Sequence, residues 1–206
     1  MIETVHGMST LEFAKDGTPI PPMPYTYTGT VILGKFNGVG QIIWGNGTMY
    51  HGSFVDGKQN GIGTQTWGLG KGQGDTYTGT WVFGKRTGKG KYTWKNGDVF
   101  EGWFVEGVIT GKGKFTGING MRYDGEHMND KPHGYGKFVY PDKSYYEGNF
   151  DNGKKNGTGK YTYPNGNVLE CSWVNGLCHG KGEMTYPNGT NRIGIWENNN
   201  LVQWLS

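Results

Sequence analysis

The sequence predicts an all-β protein: an elongated, single-layer, twisted antiparallel meander of about eight 23-residue β-hairpin repeats. Three observations lead there. Glycine makes up 40 of 206 residues. Tyrosine, tryptophan and phenylalanine (13, 8 and 9) supply most of the apolar area, while alanine occurs once, at Ala14. Aromatics and glycines also alternate with period two, as in Tyr77, Gly79, Trp81 and again in Gly90, Tyr92, Trp94, which places them on one face of a strand. So little alanine and leucine leaves few good helix formers, and so many aromatics separates the chain from Gly-rich disorder.

Taken in order, residues 1–26 precede the regular pattern. Gly7, Leu11, Phe13 and Asp16-Gly17 resemble the second half of a degenerate unit, and the segment Thr18-Pro-Ile-Pro-Pro-Met-Pro24 removes donors from any ladder. This is a capping half-repeat with a Pro-rich edge. The array proper spans residues 27–198. Its units open at Tyr27, Tyr50, Tyr77, Phe100, Tyr123, Tyr146 and Leu169, each step 23 residues except one of 27, the extra four being Lys71-Gly-Gln-Gly74. Two residues on stand Gly29, Gly52, Gly79, Gly102, Gly125 and Gly148, with Cys171 breaking the column. Two further stand Val31, Phe54, Trp81, Phe104, His127, Phe150, Trp173 and Trp196. Paired glycines recur in the second strand, from Gly38/Gly40 to Gly180/Gly182. A fixed period of this length signals an array in which each unit buries its face against its neighbours.

Within a unit, a Gly-rich loop such as Gly84–Gly88 joins the strands. Asn46-Gly47, Asn96-Gly97, Asn119-Gly120, Asn165-Gly166 and Asn188-Gly189 are expected to form type I′ turns. Glycine beside an aromatic lets the ring lie across the next strand. Sixteen or so strands at ~4.8 Å give a ribbon of about 75 Å, with one aromatic face and one polar face carrying Lys91, Thr93, Lys95 and Glu101. Residues 199–206 form an apolar tail (Leu201, Val202, Trp204, Leu205) that either caps the last strand or folds back onto the groove, the cap being preferred.

The column pattern Tyr-x-Gly-x-Trp followed by Gly-x-Gly-x-Tyr-x-Trp resembles the MORN (membrane occupation and recognition nexus) repeat over roughly residues 27–198. The resemblance implies a stand-alone, non-enzymatic scaffold or adaptor. Such proteins act as cytoskeletal, ciliary and membrane-junction scaffolds, among them radial-spoke head components and myosin-tail adaptors. Some repeats are appended to lipid kinases or a methyltransferase, for which this chain leaves no room.

Catalytic chemistry finds little support. Gly79…Gly84-Lys85 lacks the Ser or Thr of a phosphate loop at Arg86 and recurs at the repeat period, as Gly52…Lys58 and Gly148…Lys154. Gly68–Gly74 could cradle an anion, but no helix signal follows it, so a longer inter-repeat hairpin is the better reading. His6, His51, His127, His133 and His179 share no metal spacing, and His127 occupies the tryptophan column. Cys178-His179 lacks an orienting partner and a cleft. Two cysteines do not make a disulfide framework, and Cys171 is read as a small packing residue. The Asn-Gly-Thr sequons at 46, 156 and 188 fall in turns. No cofactor or metal is expected.

A net charge of +3 and a pI near 8.7 are too weak to demand a nucleic-acid partner. Neither a signal peptide nor a membrane-length apolar run is visible, so a reducing cytoplasmic setting is expected, with cytoskeleton, cilium or peripheral membrane as possible stations. Two surfaces remain. The aromatic face is the expected groove for an extended or helical partner segment, with Tyr77, Trp81, Tyr92, Trp94, Phe100, Phe104 and Phe115 as candidates. The basic loop residues Lys58, Lys85, Arg86, Lys89, Lys131, Lys154, Lys155 and Lys181 are either a solvated, aggregation-resistant edge or a footprint for anionic phosphoinositide lipids.

Overall fold

A computed structural model describes residues 2–10, 12–13, 19–20 and 22–205, with only the backbone described at 12–13 and 19–20. Leu11, Asp16, Gly17, Thr18 and Pro21 lie outside the described residues. Among those described there is no helix. The strands are β1 (Ile2–Met8), β2 (Glu12–Phe13), β3 (Pro19–Ile20), β4 (Pro24–Ile32), β5 (Lys35–Trp44), β6 (Met49–Val55), β7 (Lys58–Thr66), β8 (Thr76–Val82), β9 (Lys85–Thr93) and β10 (Val99–Val105). They continue as β11 (Val108–Thr116), β12 (Arg122–Met128), β13 (Lys131–Val139), β14 (Tyr145–Asp151), β15 (Lys154–Thr162), β16 (Val168–Val174), β17 (Leu177–Thr185), β18 (Asn191–Glu197) and β19 (Asn200–Trp204). Seventeen of them form one antiparallel sheet, and β2 pairs with β3 alone. The chain divides into two compact units, Met1–Val99 with Phe104–Gly107, and Phe100–Trp103 with Val108–Ser206.

The repeat columns become register. In the first unit Gly29 faces Gly40, Gly52 faces Gly63 and Gly79 faces Gly90. In the second, Gly125 faces Gly136 and Gly148 faces Gly159. Over each such pair lies the opening tyrosine: a Cβ built at Gly136 would meet the Tyr123 ring, and one at Gly159 the Tyr146 ring. The hydroxyl then donates to the carbonyl three residues on, Tyr50 to Ser53 (3.0 Å), Tyr123 to Glu126 (2.8 Å) and Tyr146 to Asn149 (3.0 Å). The bulky column adds edge-to-face contacts within and between repeats. Tyr27, Phe54, Tyr50, Trp81, Tyr77 and Phe104 form one ladder in the first unit, with centroids 5.0 to 5.4 Å apart. Phe100, His127, Tyr123, Phe150, Tyr146 and Trp173 form its counterpart in the second, at 4.9 to 5.2 Å. Such contacts add about 0.5–1.5 kcal/mol each to the area they bury, so a single sheet can hold a core of rings lying on bare backbone.

The turns differ from expectation. The Asn-Gly pairs do not form type I′ turns, since only their glycines have positive φ (Gly47 at 82°, Gly97 at 93°). The asparagine instead accepts from the amide two residues on, as Asn46 Oδ1 does from Thr48 (2.9 Å), while the Gly47 amide donates to the Trp44 carbonyl (2.8 Å). This is a type I turn closed by a left-handed residue. The two-residue turns with both φ positive are the intra-repeat ones, such as Asp56-Gly57 and Asn152-Gly153. The predicted Gly84–Gly88 loop shrinks accordingly to Phe83-Gly84, and the residues after it already belong to β9.

At the ends, β1 pairs with β4 along its length, Gly7 opposite Tyr25. Pro24 opens β4 and Pro19 lies in β3. β19 pairs with β18, Trp204 packs edge-on against Trp196 (5.7 Å), and the Leu205 amide donates to the Ile193 carbonyl. The C-terminal residues thus extend the sheet instead of folding back across its rings. Cys171 and Cys178 are joined in a disulfide between β16 and β17. Two cysteines are too few for a framework, yet the register that sets Trp173 against Cys178 also brings Cys171 within reach.

Candidate partner-binding face

The predicted groove residues separate into two groups. Tyr77, Trp81, Phe100 and Phe104 are buried, at most 4% exposed, so they are the core and not a surface. The Trp81 indole also donates to the Gly63 carbonyl (3.2 Å). Tyr92, Trp94 and Phe115, from the second strand of each repeat and the turn after it, are half-buried. In the first unit Trp67, Tyr92 and Trp94 form a run of tilted rings, with centroids 5.6 and 4.8 Å apart. In the second unit Phe138, Tyr140, Tyr161 and Tyr163 form a similar run at 4.7, 5.8 and 4.8 Å, the first two pairs tilted and the last edge-on. The accessible aromatic strip is therefore the outer half of the face, and Trp67, Tyr140, Tyr161 and Tyr163 belong to it although the sequence reading did not single them out. Their place in the second-strand Tyr-x-Trp column was the available signal.

The basic residues also redistribute. All eight lie in strands and not in loops: Lys58 on β7, Lys85, Arg86 and Lys89 on β9, Lys131 on β13, Lys154 and Lys155 on β15, and Lys181 on β17. Lys58, Lys85, Lys89, Lys131, Lys154 and Lys181 are exposed, whereas Arg86 and Lys155 are half-buried. Successive strand residues face opposite ways, so the residue after each exposed lysine enters the aromatic side. On the polar side bases meet acids across strands, as in Lys114–Asp124 (3.0 Å) and Lys160–Glu170 (2.9 Å). The Lys85 ammonium lies 2.8 Å from Glu106. Of the eight, Lys85 thus faces an acid, while Arg86 and Lys155 turn toward rings.

Arg86 and Lys155 stand 69 residues apart, three repeats, in equivalent surroundings. The Arg86 guanidinium lies 5.2 to 5.6 Å from the ring centroids of Trp67, Tyr77, Tyr92 and Phe104 and donates from Nη2 to the Gly107 carbonyl (2.8 Å). Beside it the Tyr92 hydroxyl donates to the buried Asp75 carboxylate (2.6 Å), which also accepts from the Lys95 amide (2.8 Å). Burial, reinforced by that bond, raises the Tyr92 pKa. Asp75 ends the predicted longer hairpin, which Trp67 closes by donating from its amide to the Asp75 carbonyl.

The Lys155 ammonium lies 3.8 Å from the Trp173 ring centroid, 4.9 Å from Tyr161 and 5.5 Å from Tyr146. Burial pulls its pKa down to about 8. It borders a depression of about 440 Å³ lined by Tyr140, Lys155, Tyr161, Tyr163, Trp173 and Asn199. The equivalent of the Tyr92–Asp75 bond is the 2.7 Å bond from the Tyr161 hydroxyl to the buried Ser144.

The MORN repeat family model matches residues 27–49, 50–68, 77–99, 100–122, 123–145, 146–168 and 172–191. The chain belongs to the MORN-repeat family. Each of its MORN repeats thus combines a fixed core column with a variable inward position just after the hairpin turn. Among solved structures, the MORN array is similar to the TCP domain of SAS-4 (dCPAP) from Drosophila melanogaster, in complex with a proline-rich motif of Ana2 (dSTIL). The identity is 16%, over 77% of this chain and 84% of that one, with a TM-score of 0.48. A TCP10 domain of Danio rerio CPAP matches at 12% identity over 96% and 99%, with a TM-score of 0.32. Among curated proteins none matches.

Other reactive-looking residues resolve simply. Cys178 is disulfide-bonded and buried, while His179 is exposed, so the pair forms no dyad. His127 is buried between Phe100 and Tyr123, and burial lowers its pKa. Among the described residues no three His, Cys, Asp or Glu side chains cluster to hold a metal, and no helix is long and apolar enough to cross a membrane.

Proposed function

We propose that this MORN array is a non-enzymatic binding scaffold whose aromatic face receives an extended or helical segment of a protein partner, in a cytoskeletal or ciliary setting. The observation that carries the reading is the strip of half-buried rings in each unit, Trp67–Tyr92–Trp94 and Phe138–Tyr140–Tyr161–Tyr163. The part of each ring that stays exposed is apolar area available to a partner. Membership of a repeat family whose units leave one face unlayered supports the same reading. The lipid alternative is less favoured because, of its eight basic residues, Lys85 faces Glu106 and Arg86 and Lys155 are recessed among rings.

Trp81 is the wrong residue to test this, because its removal would open the core. Trp94→Ala and Tyr163→Ala, with unchanged circular dichroism, are expected to abolish capture of a partner that the wild-type chain retains. The partner is to be mapped onto the face by protection of these strands from hydrogen exchange. Retained capture by both variants, or protection confined to the polar face, refutes the proposal.

A further inference from the structure

The two equivalent cation positions are not equally satisfied. Arg86 is surrounded by four rings and hydrogen-bonded to the Gly107 carbonyl. Lys155 has rings around it, but among the described residues its ammonium has neither a hydrogen-bond acceptor nor an acid. Ring faces attract a cation but do not replace the lone pairs that an ammonium had in water. The rest of the depression tells the same way. Tyr140 and Tyr163 line it with hydroxyls that make no hydrogen bond among the described residues. Asn199 lines it too, and its Oδ1 is already taken by the Cys178 amide (2.7 Å), which leaves the Nδ2 donor. No acidic side chain lines the depression. The one formal charge in this aromatic bowl is the ammonium, and the groups around it, two hydroxyls that can donate or accept and the Asn199 amide, can all turn a donor toward an anion.

We propose that the Lys155 depression is a carboxylate-binding subsite, which takes an Asp or Glu side chain of the partner segment while the flanking rings pack against its apolar neighbours. This rests on the reading of the aromatic face as the partner surface and names the chemistry it selects. A protein carboxylate is favoured over a lipid headgroup because the ammonium is recessed among rings. Its strand neighbour Lys154 is exposed and, one residue away on β15, faces the opposite side, so a flat membrane cannot engage both. Arg86 marks the same register position in a state that needs no ligand.

The probe is the peptide acetyl-Ser-Phe-Glu-Phe-Ser-amide beside its Gln counterpart, titrated into the full chain. Binding is followed through the Trp173 indole and the Tyr161 and Tyr163 ring resonances. The Glu peptide is expected to shift these signals saturably and to bind at least ~tenfold more tightly than the Gln peptide, the range for a charge-assisted bond. Lys155→Met keeps the stem among the rings and removes the charge, so it should erase that preference. Arg86→Met should leave it intact, with melting curves confirming that both variants are folded. Equal binding of the two peptides overturns the carboxylate subsite while leaving the aromatic face as a binding surface. So does a Glu preference that survives Lys155→Met. Binding of neither peptide, with partner capture still lost in Tyr163→Ala, overturns the subsite alone. A Lys155-dependent affinity for phosphatidylserine vesicles without any for the Glu peptide overturns it in favour of a lipid.

Discussion

The pairing of ring and glycine can be tested in one repeat. A Cβ at Gly125 would lie 2.6 Å from the Tyr123 hydroxyl oxygen and 2.6 Å from the Gly136 Cα, distances that force both ring and strand to move. Overpacking of this kind costs about 1–3 kcal/mol, and the backbone contact puts Gly125→Ala at the upper end. Tyr123→Leu removes most of a buried ring and the hydroxyl's bond to the Glu126 carbonyl, a loss of about 2–4 kcal/mol. The double variant should cost less than the sum, because without the ring the new methyl meets only the Gly136 backbone, one of the two obstacles. The chain already contains this exchange: where Leu169 replaces the opening aromatic, Cys171 replaces the glycine, and both are buried. A double-mutant cycle by urea unfolding, with hydrogen exchange at β12 and β13 as a local probe, should give a coupling of about 1–2 kcal/mol. Effects that add to within about 0.4 kcal/mol would show that ring and glycine are independent, and the account of the core would fail.

Three further outcomes follow from the same geometry. Tyr146→Phe, which loses only the bond to the Asn149 carbonyl, should cost about 1 kcal/mol, because Phe100 already serves in that column; a loss above about 3 kcal/mol would mean that the hydroxyl does more. His127 has its folded pKa lowered from 6.5 by burial, so the unfolded chain takes up the proton first. The His127 contribution is therefore intact above about pH 6.5 and lost as pH falls below it, and His127→Phe should flatten melting temperature against pH between 7 and 5. Reduction of Cys171–Cys178, seven residues apart, should lower stability by about 2–3 kcal/mol, read as a drop in the melting temperature that Cys178→Ser reproduces without reductant.

The fold was legible because the repeat states the same instruction seven times. A column such as Gly52, Gly79, Gly125 and Gly148 says that a ring crosses the strand at that place, and the register agrees. The turns were less legible, since an Asn-Gly pair serves a two-residue turn and a type I turn with a left-handed glycine equally well. Only hydrogen bonding such as that of the Gly47 amide to the Trp44 carbonyl separates them. The site was half legible. Periodicity placed Tyr77, Trp81 and Tyr92 on one face but could not say which rings the core would consume, because that depends on how near the next repeat lies. Reading Lys85-Arg86 and Lys154-Lys155 as loop pairs concealed that one member of each turns inward, which followed from starting β9 and β15 too late.

That shift of boundary changes where selectivity resides. The residue after the first one of each second strand reads Phe36, Gln59, Arg86, Ile109, Pro132, Lys155 and Cys178. It spans apolar, amide, cationic, proline and cysteine side chains, while the opening aromatic and the paired glycines beside it stay nearly constant. Where it is Phe36 it stacks on Tyr27 at 3.7 Å, and where it is Cys178 it closes a disulfide; both end in contacts internal to the chain, as Arg86 does through the Gly107 carbonyl. Lys155 is the member whose charge is answered only by rings. In a repeat array the core columns must recur, or stacking fails, so recognition of a particular partner has to be written at positions that do not recur. Lys155 is such a position, and it opens onto the depression beside the half-buried tyrosines.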